Sequence, residues 1–171
     1  MKVYISEKEI EQKVQELGEQ ISIDYKGEDI IAIGILKGSM IFIADLIRKI
    51  KSNVEVEFIF ASSYGDSTVS TGNVKITHLY ENKISGKNIL LIEDIIDTGL
   101  TLNKITSQIL LKQPKSFEVC SLFVKKDKHK FEHKIKYCGF EIPDKFLVGY
   151  GLDLDGRYRN LPYVSVIEDF I

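Results

Sequence analysis

The sequence predicts an α/β protein organised on a central, mainly parallel sheet. Three observations carry that expectation. Ile89 to Ile92 is a short, continuously apolar run, as a strand covered on both faces requires. A helical pattern follows from about Leu100 to Lys112, with Leu102, Ile105 and Ile109 on one side and Pro114 as its stop. Upstream, the apolar run Ile30 to Leu36 ends in Lys37-Gly38-Ser39, and Met40 to Ile50 then reads as a second helix. Strand, helix and strand alternate through the middle of the chain.

The remaining elements attach to this core. Ser6 followed by Glu9 forms a capping box, and Ile10, Val14, Leu17 and Ile21 repeat at helical spacing, which predicts a helix from about Glu7 to about Asp24. Val54, Val56, Phe58 and Phe60 alternate with Glu55 and Glu57, the period of a strand with one wet face. Ser62 to Gly72 is small and polar, and Asn73 to Tyr80 is extended again. Phe117–Val124, Lys134–Phe140, Phe146–Gly151 and Tyr163–Ile167 are further strand candidates. With no internal repeat, low-complexity tract or linker, residues 1–171 form one expected domain, the hairpin and chain ends being additions to the sheet.

Composition narrows the function classes. A net charge of -2 argues against a nucleic-acid surface, which needs clustered positive charge. The lysines between Lys125 and Lys136 are interrupted by acids and apolar residues, the pattern of a solvated loop. Cys120 and Cys138 make no disulfide framework. The charged stretch Met1 to Gln12 lacks the apolar core of a secretory signal, and no apolar run approaches the roughly 20 residues of a membrane span. A soluble protein of a reducing cytoplasm is expected. His129 and His133 are spaced as on one helix face, but two histidines among lysines lack the further partners a zinc site needs.

The chemistry concentrates in Ile89 to Leu102. Beyond the carboxyl end of a buried parallel strand, where ligands bind in open sheets, the chain turns acidic at Glu93, Asp94 and Asp97. Thr98-Gly99-Leu100-Thr101 then opens a helix. Gly99 allows close backbone approach, the threonine hydroxyls donate, and the helix start supplies free N–H groups, which together cradle a phosphate. Three carboxylates beside a phosphate repel it unless the ligand also brings hydroxyls or a divalent cation. A sugar phosphate with Mg²⁺ brings both. A lone aspartate before a helix is only a cap; three acids with this turn are more.

These residues resemble the phosphoribosyl-pyrophosphate motif of the type I phosphoribosyltransferases, in the wording of the hypoxanthine–guanine branch. The resemblance runs nearly end to end. It includes Gly34 to Ser39, the lid segment Ser62-Ser63-Tyr64-Gly65, Gly139 to Asp153 and Tyr158 to Tyr163. It implies that fold, with a small hood from the N-terminal region and about 135–171, a lid at about 62–72, and transfer of phosphoribose to a 6-oxopurine. Asp97 would be the general acid/base near N7. Glu93 and Asp94 would face the ribose hydroxyls and Mg²⁺, and Thr98, Gly99, Leu100 and Thr101 would hold the 5′-phosphate. Lys37 and Gly38 would sit on pyrophosphate, in a loop that often carries a cis peptide before the lysine, with Arg159 as a second pyrophosphate ligand. Lys125 would meet the exocyclic oxygen, Phe146 would stack on the base, and the Leu147 backbone would read its edge. Asp153 would help hold a second Mg²⁺, and Ser63 and Tyr64 belong to the lid. A homodimer or homotetramer is usual in the family.

Taken without the resemblance, Phe146 is a core strand residue, Arg159 a surface arginine and Lys37-Gly38 a strand-to-helix turn. A xanthine-preferring transferase and a phosphoribosyl-pyrophosphate-sensing regulator on the same fold are the alternatives. The regulator is disfavoured by the charge and by the use of residues before Ile89 for sheet and hood. Residues 126–130 and 154–158 match no family pattern and receive no role.

Overall fold

The computed structural model describes residues 2–63, 74–77 and 84–167. In order the elements are β1 (Lys2–Ile5), α1 (Glu7–Asp24), β2 (Ile30–Leu36), α2 (Met40–Ile47), β3 (Val54–Ser63), β4 (Val74–Thr77), β5 (Asn88–Ile96), α3 (Leu100–Leu110), β6 (Ser116–Lys125), β7 (Tyr137–Ile142), β8 (Leu147–Val148) and β9 (Val164–Val166). Among the described residues, five parallel strands in the order β3-β2-β5-β6-β7 form the centre, and β4 adds antiparallel to β3 at one edge. This is the α/β parallel sheet that the sequence predicts. A second antiparallel sheet, β1-β9-β8, joins the beginning of the chain to its end.

Burial on both faces explains the apolar runs. In β5, Leu90 and Ile92 pack into a cluster with α1 and α2, while Ile89 and Leu91 pack with α3 on the opposite face. The α1 stripe Ile10, Val14, Leu17 and Ile21 is buried. Its capping box closes as the sequence predicts, with the Ser6 N–H donating to Glu9 at 2.8 Å and the Glu9 N–H to Ser6 Oγ at 3.3 Å. From β2 the chain proceeds to β3 on one side, whereas β5 leads to β6 and β7 on the other. The crevice between the carboxyl ends of β2 and β5 is therefore the switch point where open α/β sheets bind ligands.

Several expected boundaries move. The second helix ends at Ile47, not Ile50, because Lys49 seats against Gly18 of α1 and the chain turns there. In β3 the inward residue near the strand end is Ile59, while Phe58 and Phe60 remain 39% and 49% exposed. Val54 and Val56 pack against the core as the alternation predicts, and only the far end of that phase, Phe58 and Phe60, turns to the surface. The strand expected over 134–140 starts at Tyr137, and that over 146–151 shrinks to Leu147–Val148. No helix spans His129 and His133. The first accepts the Phe131 N–H at 3.3 Å, and the second lies against the Phe117 and Phe131 rings. Of the proposed lid, Ser63 ends β3, and Tyr64 lies outside the described residues. Among the described residues, no helix is long and apolar enough to cross a membrane.

Ile21 is fully buried between α1 and the sheet. Ile21→Ala should lower unfolding free energy by roughly 2–5 kcal/mol, measured by urea titration. A loss below about 1 kcal/mol would mean that α1 does not pack by this stripe.

Candidate active site

The strand ends around the switch point carry the chemistry. A hollow of about 270 Å³ is lined by Leu36, Gly38, Glu93, Asp97, Thr98 and Thr101 among others. Two larger hollows lie elsewhere, about 430 Å³ beside Asp45 and Tyr150 and about 760 Å³ near Lys26 and Asn53. Neither is at the carboxyl ends of β2 and β5, so position and donor set, not volume, mark the site.

On the β2 side the Leu36–Lys37 peptide is cis, as the resemblance implies. Lys37 is exposed, and Gly38 lies so close under Asp94 that a Cβ would stand 1.7 Å from its Oδ2. Only glycine fits between this loop and the acid. On the β5 side, Gly99 takes φ +76° and caps α3 with no side-chain bond; the Leu100 N–H reaches Thr98 Oγ1 at 3.5 Å, and the first-turn N–H groups have no intrahelical partner. A Cβ at Gly99 would also come within 2.9 Å of Phe131. Thr98 and Thr101 are exposed at this turn.

Glu93 and Asp94 are consecutive carboxylates at the end of a buried strand. Desolvation pushes Glu93 well above the usual carboxyl range, and the neighbouring Asp94 charge pushes it further. Desolvation also raises Asp94, against the opposing pull of the Ile95 N–H at 2.8 Å and of Arg159. Arg159 reaches the site from beyond β8. It pairs with Asp153 at 2.6 Å and donates to the Gly151 carbonyl, so the exposed arginine of the bare sequence is a bound one. Asp153 also accepts the Gly156 N–H at 2.8 Å, and among the described residues no three acid, histidine or cysteine side chains gather as a metal cage.

Asp97, past the end of β5, meets Lys125 from the end of β6. Lys125 is 6% exposed; its Nζ lies 3.3 Å from Asp97 Oδ1 and 2.8 Å from Asp144 Oδ1. Lys128 Nζ lies 3.0 Å from each of the same two oxygens. These partners hold Asp144 below, and Lys128 above, its usual range. Asp97 Oδ1 is buried and close to two ammonium groups, yet it has no well-aligned hydrogen bond. Phe146, two residues past Asp144, is 37% exposed beside β8 and is not the core residue its apolar neighbours suggest, whereas Leu147 is buried.

Lys128 and Asp144 escaped sequence reasoning, the first because it sits in a lysine-rich run that looks solvated. A signal existed in the spacing. The N–H groups of Lys128 and His129 both donate to the Lys125 carbonyl, and this tight turn at a strand end brings lysines three apart to one side. Asn103 of α3 ties the turn down, donating to the Lys130 carbonyl at 2.9 Å and accepting the Glu132 N–H at 3.0 Å.

A five-stranded parallel centre, an acid-ended β5 with the Thr98–Thr101 turn after it, and a lysine-bearing turn after β6 are the features of a type I phosphoribosyltransferase fold. The chain belongs to the phosphoribosyl transferase domain family, whose pattern matches residues 4–155. It is 47% identical over 167 residues to the hypoxanthine-guanine phosphoribosyltransferase of Bacillus subtilis, covering 98% of this chain and 93% of that protein. The hypoxanthine phosphoribosyltransferase of Escherichia coli is 43% identical over 98% of this chain and 95% of its own. A crystal structure of a Bacillus anthracis hypoxanthine-guanine phosphoribosyltransferase superposes with a TM-score of 0.91 at 45% identity, covering 98% of both chains.

The raised carboxyls have a stability consequence. With higher values folded than unfolded, Glu93 and Asp94 make the folded chain bind more protons. Their contribution is favourable below the ordinary carboxyl range and is lost as pH rises through the raised values. Asp94→Asn should therefore raise the Tm of the metal-free protein at pH 8 more than at pH 4, by differential scanning fluorimetry. A uniform shift at both pH values would contradict this reading.

Proposed function

We propose that the chain is a purine salvage enzyme that transfers the 5-phosphoribosyl group of phosphoribosyl pyrophosphate to N9 of hypoxanthine, and of guanine, releasing pyrophosphate. The observation that carries this is the meeting of Asp97 with the buried Lys125 ammonium, 3.3 Å apart, beside the Thr98–Thr101 turn. The relatives named above support it.

In this reading N9 bonds to the ribose C1 as the C1–oxygen bond to pyrophosphate breaks, through an oxocarbenium-like state. Asp97 takes the proton that the imidazole ring of the base sheds near N7. Thr98, Thr101 and the N–H groups after Gly99 hold the 5′-phosphate. Lys37, the Gly38 backbone and Arg159 stabilise charge on the departing pyrophosphate. Phe146 stacks on the base, the Leu147 backbone reads its edge, and Lys125 donates to the 6-oxo group. Ser63 and Tyr64 belong to the covering lid.

Glu93 and Asp94 suit Mg²⁺: they are two adjacent oxygen donors withdrawn from water, with the Arg159 charge opposing Asp94. Asp153 would serve a second ion by exchanging its Arg159 partner. Bound there, Mg²⁺ neutralises charge on pyrophosphate and ribose oxygens. The exposed Phe58, Phe60 and Met40 favour self-association into a homodimer or homotetramer. Two free thiols accord with a cytoplasmic setting.

Asp97→Asn should keep nucleotide binding and lower kcat by about 10²–10⁴-fold; wild-type turnover would reduce Asp97 to a helix cap. Chelation should abolish activity and Mg²⁺ restore it, and undiminished turnover in excess chelator would defeat the metal role.

Base choice offers a separate check. An ammonium only donates, so Lys125 satisfies a 6-oxo group but faces a donor in adenine. Sites of this kind reject the mismatched analogue by roughly 10⁴-fold. Hypoxanthine should be a good substrate and adenine nearly inert in initial-rate assays. Comparable kcat/KM values for the two bases would rule out the 6-oxopurine reading.

A further inference from the structure

Asp97, Lys125, Asp144 and Lys128 form a closed figure. Around it the distances are 3.3 Å from Asp97 Oδ1 to Lys125 Nζ, 2.8 Å to Asp144 Oδ1, 3.0 Å to Lys128 Nζ and 3.0 Å back to Asp97. Charges alternate at every step and sum to zero. Three strand ends contribute: Asp97 follows β5, Lys125 ends β6 with Lys128 in the turn after it, and Asp144 follows β7.

We propose that Lys128 and Asp144 are positioning residues of the purine subsite, closing a four-charge ring that aims Asp97 and Lys125 at the base. The proposal rests on the roles assigned above to those two. An ammonium has three donors. Asp144 takes one from Lys125 at 2.8 Å, and Asp97 Oδ1 holds the ammonium by charge at 3.3 Å without an aligned hydrogen bond, so donors remain for the 6-oxo oxygen. On Asp97 both lysine contacts fall on Oδ1, which leaves Oδ2 to face the proton it must take. Lys128 supports this division of labour: it sets a second cation 3.0 Å from Oδ1, so Asp97 does not draw Lys125 away from the base. Asp144 performs the matching service for Lys125.

Opening the ring unbalances it in opposite senses. Lys128→Met leaves two carboxylates on one ammonium, and Asp97 loses its nearer cation. Asp144→Asn leaves two ammonium groups on Asp97, and Lys125 is drawn toward that carboxylate and off the 6-oxo group. Misplacing reacting groups by an ångström costs up to about 100-fold; with one ring partner retained, about tenfold is expected here. Lys128→Met should lower kcat by about that factor, while Asp144→Asn should raise KM for hypoxanthine. Neither should change KM for phosphoribosyl pyrophosphate, because neither side chain lines the phosphate crevice.

The test is steady-state kinetics on the intact protein with hypoxanthine, phosphoribosyl pyrophosphate and Mg²⁺. It compares Lys128→Met, Asp144→Asn, their double variant, the conservative pair Lys128→Arg and Asp144→Glu, and Asp97→Asn as reference. The ring predicts that the double variant, again neutral, loses less kcat/KM than the product of the two single losses. It also predicts that the conservative variants restore most of the activity. Multiplicative losses, or single variants with unchanged kcat and hypoxanthine KM while Asp97→Asn is crippled, would overturn the ring and leave the transferase standing. Full activity in Asp97→Asn would overturn both. All these side chains except Lys125 are substantially exposed, so the substitutions spare the core.

Discussion

Two carboxylates on consecutive residues, pressed out of water at the end of one strand, are the constraint around which this molecule is arranged. A half-buried Glu93 beside a buried Asp94 is unfavourable in isolation, since desolvation acts against ionising either and the Asp94 charge acts further against Glu93. The surroundings respond to that pressure. The β2 loop presents a glycine because any side chain at position 38 would collide with Asp94, and Arg159 arrives from beyond β8 to oppose the charge.

The sheet makes this placement available. Because β2 and β5 are adjacent and their connections depart in opposite directions, their carboxyl ends diverge and leave a crevice floored by strand ends. The apolar stretch Ile89–Ile92 anchors the acids rigidly, packed with α1 and α2 on one face and with α3 on the other. Glu93 and Asp94 thus sit on a strand packed on both faces, while Asp97 and the Thr98–Thr101 turn follow from its end.

What was legible in the sequence follows from that arrangement. The change from apolar to acidic at Glu93, and the Thr98-Gly99 turn after it, are contiguous, so their chemistry appears in a short window. The amphipathic stripe and capping box of α1 are local for the same reason. The change at the end of β3 was not legible, because Phe58 and Phe60 are as apolar as Val54 and Val56, which pack inward, while the buried residue there is Ile59. Only the position of α2 and the sheet edge decides between them. Phe146 shows the same limit: its neighbours Leu147 and Val148 are buried, and nothing in their order reveals that the ring lies at the surface of a site. Asp144 and Lys128 are 16 residues apart and meet through the parallel pairing of β6 with β7, a contact that periodicity cannot report.

Phosphoribosyl transfer demands a fixed distance between the phosphate that anchors the sugar and the groups that hold the base, because the reacting carbon and nitrogen must meet in line. The sheet alone does not set that distance, since the two subsites hang on loops after β5 and β6. Hydrogen bonds between the loops do. The Lys130 N–H donates to the Thr98 carbonyl at 2.8 Å, and Asn103, one turn into α3, clasps the same segment at Lys130 and Glu132. Phe131 packs against Gly99 from the middle of that segment. The turn that carries Lys128 is therefore hydrogen-bonded to the turn after β5 that carries Thr98. In the proposed reading, registration between sugar and base rests on these backbone bonds, and the charged side chains of the ring act on a span those bonds set.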